Sequence, residues 1–267
     1  MDKIEVKKII KNRNISGKIK KTEELFLLEI IEMLDANSFS NAEFTFRGFE
    51  SSFVESKPNV RLLHLEFPKI GLGKAKKIKI SRMREQKIVN VMSAMEAYFG
   101  CKYNLNLCQK IFKFNKKNGT FPIQIGLEFE RNQKPKIKIY LSVNSAAFSL
   151  GLFLRVSEVD NQLDITRRFE NSKFDTVAVD FLPGSEFSLK LYPLTAENRG
   201  LLVRISREGK IFSRKAWVRF PGGLSAENFA GNEFFNFNLL LHDYIKQAKL
   251  KVFYLCLEGS RKSLYFR

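Results

Sequence analysis

The chain has 267 residues, of which 44% are hydrophobic, so it can bury a core. Its formal net charge of +18 suits an anionic partner. Charge alone does not choose between nucleic acid, acidic lipid and a phosphorylated small molecule. With two histidines and three cysteines that form no CxxC pair, a multi-histidine metal site, a cysteine-rich zinc site and a disulfide framework are not expected.

The first predicted elements are a helix, a β-hairpin and a second helix. After a basic segment, "TEELFLLEIIEML" from Thr22 has apolar residues at helical spacing, and we expect residues 1–38 to pack outside the main structure. Two strand-like runs over Ala42–Phe67 flank the turn signal "SKPN". Ser81–Phe99 predicts a helix, because its apolar residues form one stripe. The stripe consists of Ile88, Val91, Met92, Met95 and Phe99.

The hairpin pattern recurs along the rest of the chain. Four further pairs of strand-like runs turn at "RNQKP", "LPGS", "REGK" and "EGSR". Stretches that suit helices, such as "NSAAFSLGLFLRV" and "SAENFAGNEFFNFNLLLHDYIKQAK", separate most of them. We predict a repeat of five hairpins with about ten antiparallel strands. Because no linker rich in Pro, Gly or Ser divides the chain, we expect a single domain over residues 1–267.

Two of the second strands carry the same alternation of side chains. In "KPKIKIYL" Lys136, Lys138 and Tyr140 fall on one face and aliphatic residues on the other, and "FSLKLYPL" places Lys190 and Tyr192 in the same way. The apolar faces require a cover, which amphipathic helices can supply. The sheet then either stays open, with the lysines in solvent, or closes with lysines and tyrosines inside, where they would form a pocket for an anion.

The same offset occurs in the last two hairpins. Lys215 and Trp217 form "KAW" in the fourth hairpin, and Ser263 and Tyr265 form "SLY" in the fifth, with Arg261 two residues before the serine. One strand with alternating lysines is usually half exposed to solvent. Four second strands with a basic or hydroxyl residue two positions before an aromatic one favour a shared cavity.

Motifs of common catalytic sites are absent from the sequence. There is no GxxxxGK[ST] phosphate loop, since "GLGKAKK" lacks the spacing, and no GxSxG, HExxH or GxGxxG motif. No aspartate-rich DDxxD cluster that would hold a diphosphate through magnesium is present either. An anion site would therefore use lysine and arginine charges and tyrosine hydroxyls directly. His64, in "RLLHLEF", is expected to pack or to lie at the surface.

Five hairpins with KxY-type pairs on successive second strands resemble the ABBA aromatic prenyltransferases, over roughly Phe39 to Arg267. The resemblance implies an α+β fold, the PT barrel, in which five ββα-type repeats form a closed ten-stranded antiparallel barrel with helices on the outside. It also implies a lumen that binds an allylic diphosphate, dimethylallyl or geranyl, beside an aromatic acceptor. The lysine and tyrosine face would then be the inner one.

The resemblance also assigns candidate site residues. "KIY" and "KLY" match the family's second- and third-repeat diphosphate pairs, and the arginine that opens "RLLHLEFP" resembles its first-repeat arginine. The implied diphosphate-binding set is Arg61, Lys138, Tyr140, Lys190, Tyr192, Lys215, Arg261 and Tyr265. The aromatic faces that would shield the carbocation are Tyr140, Tyr192, Trp217 and Tyr265.

A glutamate near the start of the first hairpin would bind the acceptor. The run "EFTF" resembles the family's ExS-type start and makes Glu43 the candidate, with Glu50 as the second candidate. This carboxylate would accept a hydrogen bond from the acceptor's N–H or O–H and make the ring more electron-rich. The other interpretation of Glu43 is an ordinary carboxylate at a strand edge.

The expected partners are an allylic diphosphate and an aromatic small molecule or peptide. The run from "SRMREQKIVNVMSAMEAYF" to "KIKIYLSV" is similar to the cyanobactin peptide prenyltransferases, and an ending at "SLYFR" suggests an open barrel end that suits a bulky acceptor.

We expect no obligatory cofactor, with Mg²⁺ at most accompanying the diphosphate, and a monomer. The sequence has no apolar stretch of roughly 18 residues and no signal-peptide core, so a cytoplasmic protein without a membrane partner is expected.

Two alternatives remain open from the sequence. An open basic sheet could bind nucleic acid, with lysines on phosphates and tyrosines on bases. A closed barrel could also bind a ligand without catalysis.

Overall fold

A computed structural model of the chain describes residues 25, 28, 41–49, 60–67, 74–118, 120–130, 133–143, 148–194, 199–225, 228, 246, 249, 251–258 and 261–266. The strands are β1 (Asn41–Phe49), β2 (Val60–Glu66), β3 (Phe121–Glu130), β4 (Lys136–Ser142), β5 (Phe174–Phe181), β6 (Phe187–Pro193), β7 (Arg199–Ser206), β8 (Ile211–Leu224), β9 (Val252–Glu258) and β10 (Arg261–Phe266). The helices are α1 (Lys74–Phe99), α2 (Leu105–Asn118), α3 (Leu150–Val156) and α4 (Gln162–Arg168).

Consecutive strands form the five predicted hairpins, and glycines turn two of them. Gly184 of "LPGS" lies between β5 and β6 with φ of 84°, and Gly209 of "REGK" lies between β7 and β8 with φ of 75°. Glycine adopts this backbone conformation at little steric cost. Gly209 is restricted further, because an added Cβ would lie 2.1 Å from the carbonyl oxygen of Asp160.

The strands pair antiparallel within one sheet. Each strand pairs with its neighbours in sequence, and β1 also pairs with β10, through Arg47 opposite Tyr265, so that the strand order closes on itself. Because side chains alternate along a strand, the sheet has two faces. We call the face that carries Lys138 and Lys190 the polar face, and the opposite one the apolar face.

Helices cover the apolar face. Ile88 and Met92 of α1 are fully buried in the same core as Ile125 and Leu127 of β3. The predicted stripe is therefore confirmed, and so is the prediction of an antiparallel sheet with helices. Helix α1 begins at Lys74 rather than at the predicted Ser81. The last four residues of "GLGKAKK" thus belong to the helix, which suits lysine and alanine as good helix formers.

The polar face points into the closed sheet. Rings on alternate strands meet on this face: the centroids of His64 on β2 and Tyr140 on β4 lie 5.8 Å apart, and those of Tyr140 and Tyr192 on β6 lie 6.2 Å apart. Such contacts are expected on the concave face of a sheet whose strand order closes. Lys138 and Lys190 are only 4% and 2% exposed. The charged and phenolic side of the alternating strands is thus the inner one.

Some elements differ from the sequence-based predictions or lie beyond the described residues. Helices α2 and α4 were not predicted as separate elements. Apart from single residues, the predicted opening helix from Thr22 and the helix-like stretch after Ser225 lie outside the described residues, as does the turn "SKPN". Within the described part of the chain, no helix combines the length and the apolar character needed to cross a bilayer.

Candidate functional site

Strand register gathers the candidate site on the polar face. Directly paired residues of antiparallel strands share one face of a sheet. Lys138 on β4 pairs with Gly126 on β3 and with Asp180 on β5. Lys190 on β6 pairs with Arg204 on β7. The two lysines of the KxY motifs therefore lie on one face, as the sequence predicted, in adjoining hairpins.

Each of these lysines forms a buried ion pair. The Nζ of Lys138 donates a hydrogen bond to Glu128, and the Nζ of Lys190 donates to Asp180 Oδ1 at 2.6 Å. In both hairpins the carboxylate stands on the first strand, ten residues before the lysine. Glu128 and Asp180 are 3% and 6% exposed, so water solvates neither charge well. An anion that reaches the lysines would compete with these carboxylates for the same N–H donors.

A third ion pair extends the site towards the fourth and fifth hairpins. The Nζ of Lys215 lies 3.6 Å from Glu258 Oε2 and 5.8 Å from the centroid of the Tyr265 ring. Burial raises the pKa of Glu258, but a hydrogen bond from Ser213 and the charge of Lys215 lower it, and the net shift is downward. Lys215 thus lies on the polar face, with a carboxylate from β9 rather than from its own hairpin.

Positive charge is concentrated around Lys190. Burial lowers the pKa of Lys190 well below its usual value, the charge of Asp180 opposes that shift, and Lys138 and Arg204 add to it. The Nε of Arg204 is buried and has no hydrogen-bond partner. Unpaired buried donors are rare in proteins because they lose their hydration without compensation. This part of the polar face therefore has donor capacity that an anionic ligand could satisfy.

Aromatic rings form two groups on the polar face. The ring centroids of Tyr140 and Tyr192 lie 6.2 Å apart. Trp217 packs edge-on against Tyr254 at 5.9 Å, and Tyr254 packs against Tyr265 at 6.2 Å. Burial raises the pKa of both Tyr140 and Tyr192. Their hydroxyls therefore stay protonated at physiological pH and can donate hydrogen bonds.

Arg61 was predicted as a diphosphate ligand, but the strand register places it on the apolar face. It pairs with Phe46 on β1 and Phe129 on β3, and Phe129 belongs to the apolar core. Arg61 lies three positions before His64 on β2, so the two residues belong to opposite faces of the sheet. His64 pairs with Gly126, which pairs with Lys138 on the polar face. The register therefore does not bring Arg61 to the polar face, and we leave it out of the site.

The remaining predicted residues fall into two groups. Glu43 pairs with His64, and Arg261 pairs with Glu258, so both have register positions on the polar face. Glu50 lies outside the described residues. His64, which was expected to pack or to lie at the surface, stands on the polar face.

Sequence analysis missed several polar-face residues. These are Glu128, Asp180, Arg204 and Tyr254, together with His64. A signal for the two carboxylates was present, because an acidic residue precedes the motif lysine by ten positions in both the second and the third hairpin. Arg204 and Tyr254 stand on first strands, whereas the repeat was recognised from second strands alone.

Trp217 offers a direct test of this geometry. It pairs with Gly200 on β7, where an added Cβ would lie 1.8 Å from Cε2 of the indole. The variant Gly200→Ala is therefore expected to displace the indole, and the fluorescence of the chain's only tryptophan should shift to longer wavelength. Gly151→Ala is the control, since its Cβ would come no closer than 3.4 Å to Thr166. Identical emission from the two variants would contradict the placement of Trp217.

Comparisons with known proteins identify related folds. No family model matches the chain, and no curated protein matches it in sequence. The prenyltransferase PriB, in a binary complex with product diphosphate, matches with a TM-score of 0.59 at 12% identity, over 97% of this chain and 93% of PriB. The 5-dimethylallyltryptophan synthase from Streptomyces coelicolor matches with a TM-score of 0.60 at 10% identity, over 95% of this chain and 93% of the synthase.

A further solved structure, a 6-dimethylallyl tryptophan synthase, matches with a TM-score of 0.51 at 12% identity, over 85% of this chain and 80% of the synthase. At such identities the likeness concerns the fold, because one fold can carry different activities. The predicted resemblance is confirmed at that level, and the chain has the fold of the ABBA aromatic prenyltransferases.

Proposed function

We propose that this protein is an aromatic prenyltransferase, which transfers a dimethylallyl or geranyl group from its diphosphate to an aromatic or peptide-borne acceptor. The observation that carries the proposal is the pair of buried lysines, Lys138 and Lys190, beside Tyr140 and Tyr192 on the inward face of the sheet. Two neighbours in fold support it, since PriB holds product diphosphate and the Streptomyces enzyme makes dimethylallyltryptophan.

The diphosphate would bind by exchange of ion-pair partners. In the structure Glu128 and Asp180 accept the hydrogen bonds of Lys138 and Lys190. A diphosphate carries more negative charge than either carboxylate, and charge-assisted hydrogen bonds from several donors would hold it. The unpaired Nε–H of Arg204 adds a donor at the same face. The Tyr140 hydroxyl, which bonds to Tyr192 in the structure, would turn to the diphosphate. Lys215 would contribute from the fourth hairpin.

Ionisation of the donor is the step that the site would accelerate. The bond between the first prenyl carbon and the bridging oxygen breaks, and its electron pair leaves with the diphosphate. Lysine charges and tyrosine hydroxyls stabilise that developing negative charge, most effectively where water is excluded. The allylic cation left behind would face the rings of Tyr140, Tyr192, Trp217 and Tyr265, which attract it and delay its capture by water.

The acceptor completes the reaction. Its aromatic carbon or heteroatom donates an electron pair to the cation, and the new bond forms as a proton leaves the acceptor. Glu43, whose register position lies on the polar face, would orient the acceptor through its N–H or O–H, with Glu50 as the second candidate. We expect Mg²⁺, where present, to arrive with the diphosphate.

The test is transfer of a labelled prenyl group, read as a mass shift. Labelled dimethylallyl and geranyl diphosphate are offered with a panel of aromatic and peptide acceptors. We expect the wild-type protein to transfer the label, and Lys138→Ala and Lys190→Ala to lose roughly 100-fold or more in rate, since each removes a donor to the leaving group. Lys110→Ala is the matched control, because Lys110 is 54% exposed on α2.

Two results would refute parts of the proposal. Absence of transfer to every acceptor would leave the protein as a barrel that binds a ligand without catalysis. Unchanged transfer by both lysine variants would remove them from the site. The nucleic-acid alternative requires an open face for phosphates and bases. It loses support because the motif lysines are buried inside the sheet.

A further inference from the structure

We propose that His64 is an additional ligand of the bound diphosphate, to which its imidazole donates an Nε2–H hydrogen bond. The identity of the anion rests on the proposed function. The assignment itself goes further, because neither the KxY pattern nor the family resemblance gives His64 a role.

The backbone makes room for this side chain at Gly126. Gly126 pairs with His64 on one side and with Lys138 on the other. A Cβ on Gly126 would lie 2.9 Å from Cδ2 and 3.2 Å from Nε2 of His64, and 3.3 Å from Cβ of Lys138. Glycine weakens a strand, and inside one it often marks a close approach of another group. Here the glycine lets the imidazole cross β3 towards Lys138.

The Nε2 atom at the end of this ring is buried and has no hydrogen-bond partner. The ring of Tyr140 packs edge-on against the imidazole, with centroids 5.8 Å apart, and fixes its position. A buried polar atom without a partner is unfavourable, because the atom has lost its hydrogen bond to water. A bound ligand can supply the missing partner.

Burial and the neighbouring charges decide the protonation state of His64. Lys138 and Lys190 act on the imidazole from β4 and β6, and Glu128 and Asp180 oppose them from β3 and β5. Burial, followed by the two lysines, lowers the pKa of His64 to about 3. The imidazole is therefore neutral at physiological pH, and the tautomer with a proton on Nε2 can donate to an oxygen without adding a further positive charge.

The same two lysines define where a diphosphate would lie. An oxygen held by Lys138 would lie near the imidazole, because Gly126 lets the ring of His64 approach Lys138 across β3. The two acidic residues there accept from the lysines, and neither accepts a hydrogen bond from Nε2 in the structure. The diphosphate oxygen is thus the acceptor that fits the position and the charge.

Imidazole ¹⁵N NMR spectroscopy of the whole chain tests the proposal. The chain has only two histidines, so the variant His64→Gln assigns both sets of signals. The probe is inorganic diphosphate. At saturation we expect the Nε2 signal of His64 to take the shift of a protonated nitrogen, with Nδ1 unprotonated, and the signals of His242 to serve as the internal reference. His64 signals that stay unchanged at saturation, or that move only when indole is added, would overturn the proposal.

Binding of inorganic diphosphate to variants gives a second measurement. His64→Leu should weaken it by roughly 10- to 100-fold, and His64→Gln, which retains an N–H donor, should weaken it less. Gly126→Ala should also weaken it, because the added Cβ displaces the imidazole, whereas Gly151→Ala should not. Wild-type affinity in folded His64→Leu would contradict the proposal.

The outcome is separable from that of the proposed function. A protein that binds inorganic diphosphate through His64 and transfers no prenyl group retains this inference and loses the enzymatic one. Prenyl transfer by a protein whose His64 signals do not respond to diphosphate does the reverse.

Discussion

Replacing Lys190 by methionine is expected to lower the free energy of unfolding by about 3–5 kcal/mol. Lys190 is 2% exposed, and its Nζ donates to Asp180 Oδ1 at 2.6 Å. Methionine fills the space of the lysine stem but leaves the carboxylate of Asp180 without its counter-charge in a site that water barely reaches. Urea unfolding followed by circular dichroism measures the change. Lys110→Met should change stability by at most about 1 kcal/mol, because the Lys110–Glu158 pair is exposed.

The double variant Lys190→Met with Asp180→Leu separates stability from binding. Replacement of a whole buried ion pair by apolar residues is often neutral or stabilising, so most of the lost stability should return. Binding of inorganic diphosphate should stay weak, because the double variant lacks the same N–H donor as the single one. Recovery of binding together with stability would mean that Lys190 serves the fold and not the anion.

These ion pairs explain how a cavity rich in lysine can persist without a ligand. An isolated ammonium group inside a protein would lose its proton or destabilise the fold. On the polar face Glu128 and Asp180 compensate the charges of Lys138 and Lys190 until an anion replaces them. The carboxylates therefore offset part of the cost of burying the two lysines and hold the N–H donors close to the position that a diphosphate would take. They also set a cost for binding, since an incoming anion must displace them.

The sequence predicts the features that depend on local geometry. Lys138 and Tyr140, two positions apart on a strand, share a face in any sheet, and the same holds for Lys190 and Tyr192. Turn residues such as Gly184 mark the ends of strands for a similarly local reason. The five hairpins and the composition of each face could therefore be predicted before any pairing was known.

The sequence does not predict the features that depend on register between distant strands. Arg61 shows this best, because a shift of one residue moves a side chain to the opposite face of a sheet. A motif match at Arg61 contains no information about its pairing with Phe129. His64 was missed for the same reason, since its role depends on Gly126, a residue more than 60 positions away on the neighbouring strand. Closure of the sheet also decides which face lies inside.

Replacing Tyr140 in two ways is expected to separate its two proposed roles. Tyr140→Phe removes the hydroxyl and should weaken binding of inorganic diphosphate by roughly 10-fold or more, since a hydrogen bond to a charged group contributes about 1.5–3 kcal/mol. The ring remains, so the share of the prenyl group captured by water should not change. The ring lies 6.2 Å from that of Tyr192, and the two form one wall of the proposed cation site.

Tyr140→Leu removes the ring as well and should let water capture more of the cation. A cation–π contact of about 0.5–2 kcal/mol corresponds to an increase of roughly 2- to 30-fold in the ratio of prenyl alcohol to prenylated acceptor. Labelled donor with product analysis by mass measures that ratio, and Tyr98→Leu, on the 38% exposed side chain of α1, is the control. If both variants keep the wild-type ratio of prenyl alcohol to prenylated acceptor, Tyr140 contributes only its hydroxyl to diphosphate binding. If both variants raise that ratio equally, the hydroxyl, and not the ring, keeps water from the cation.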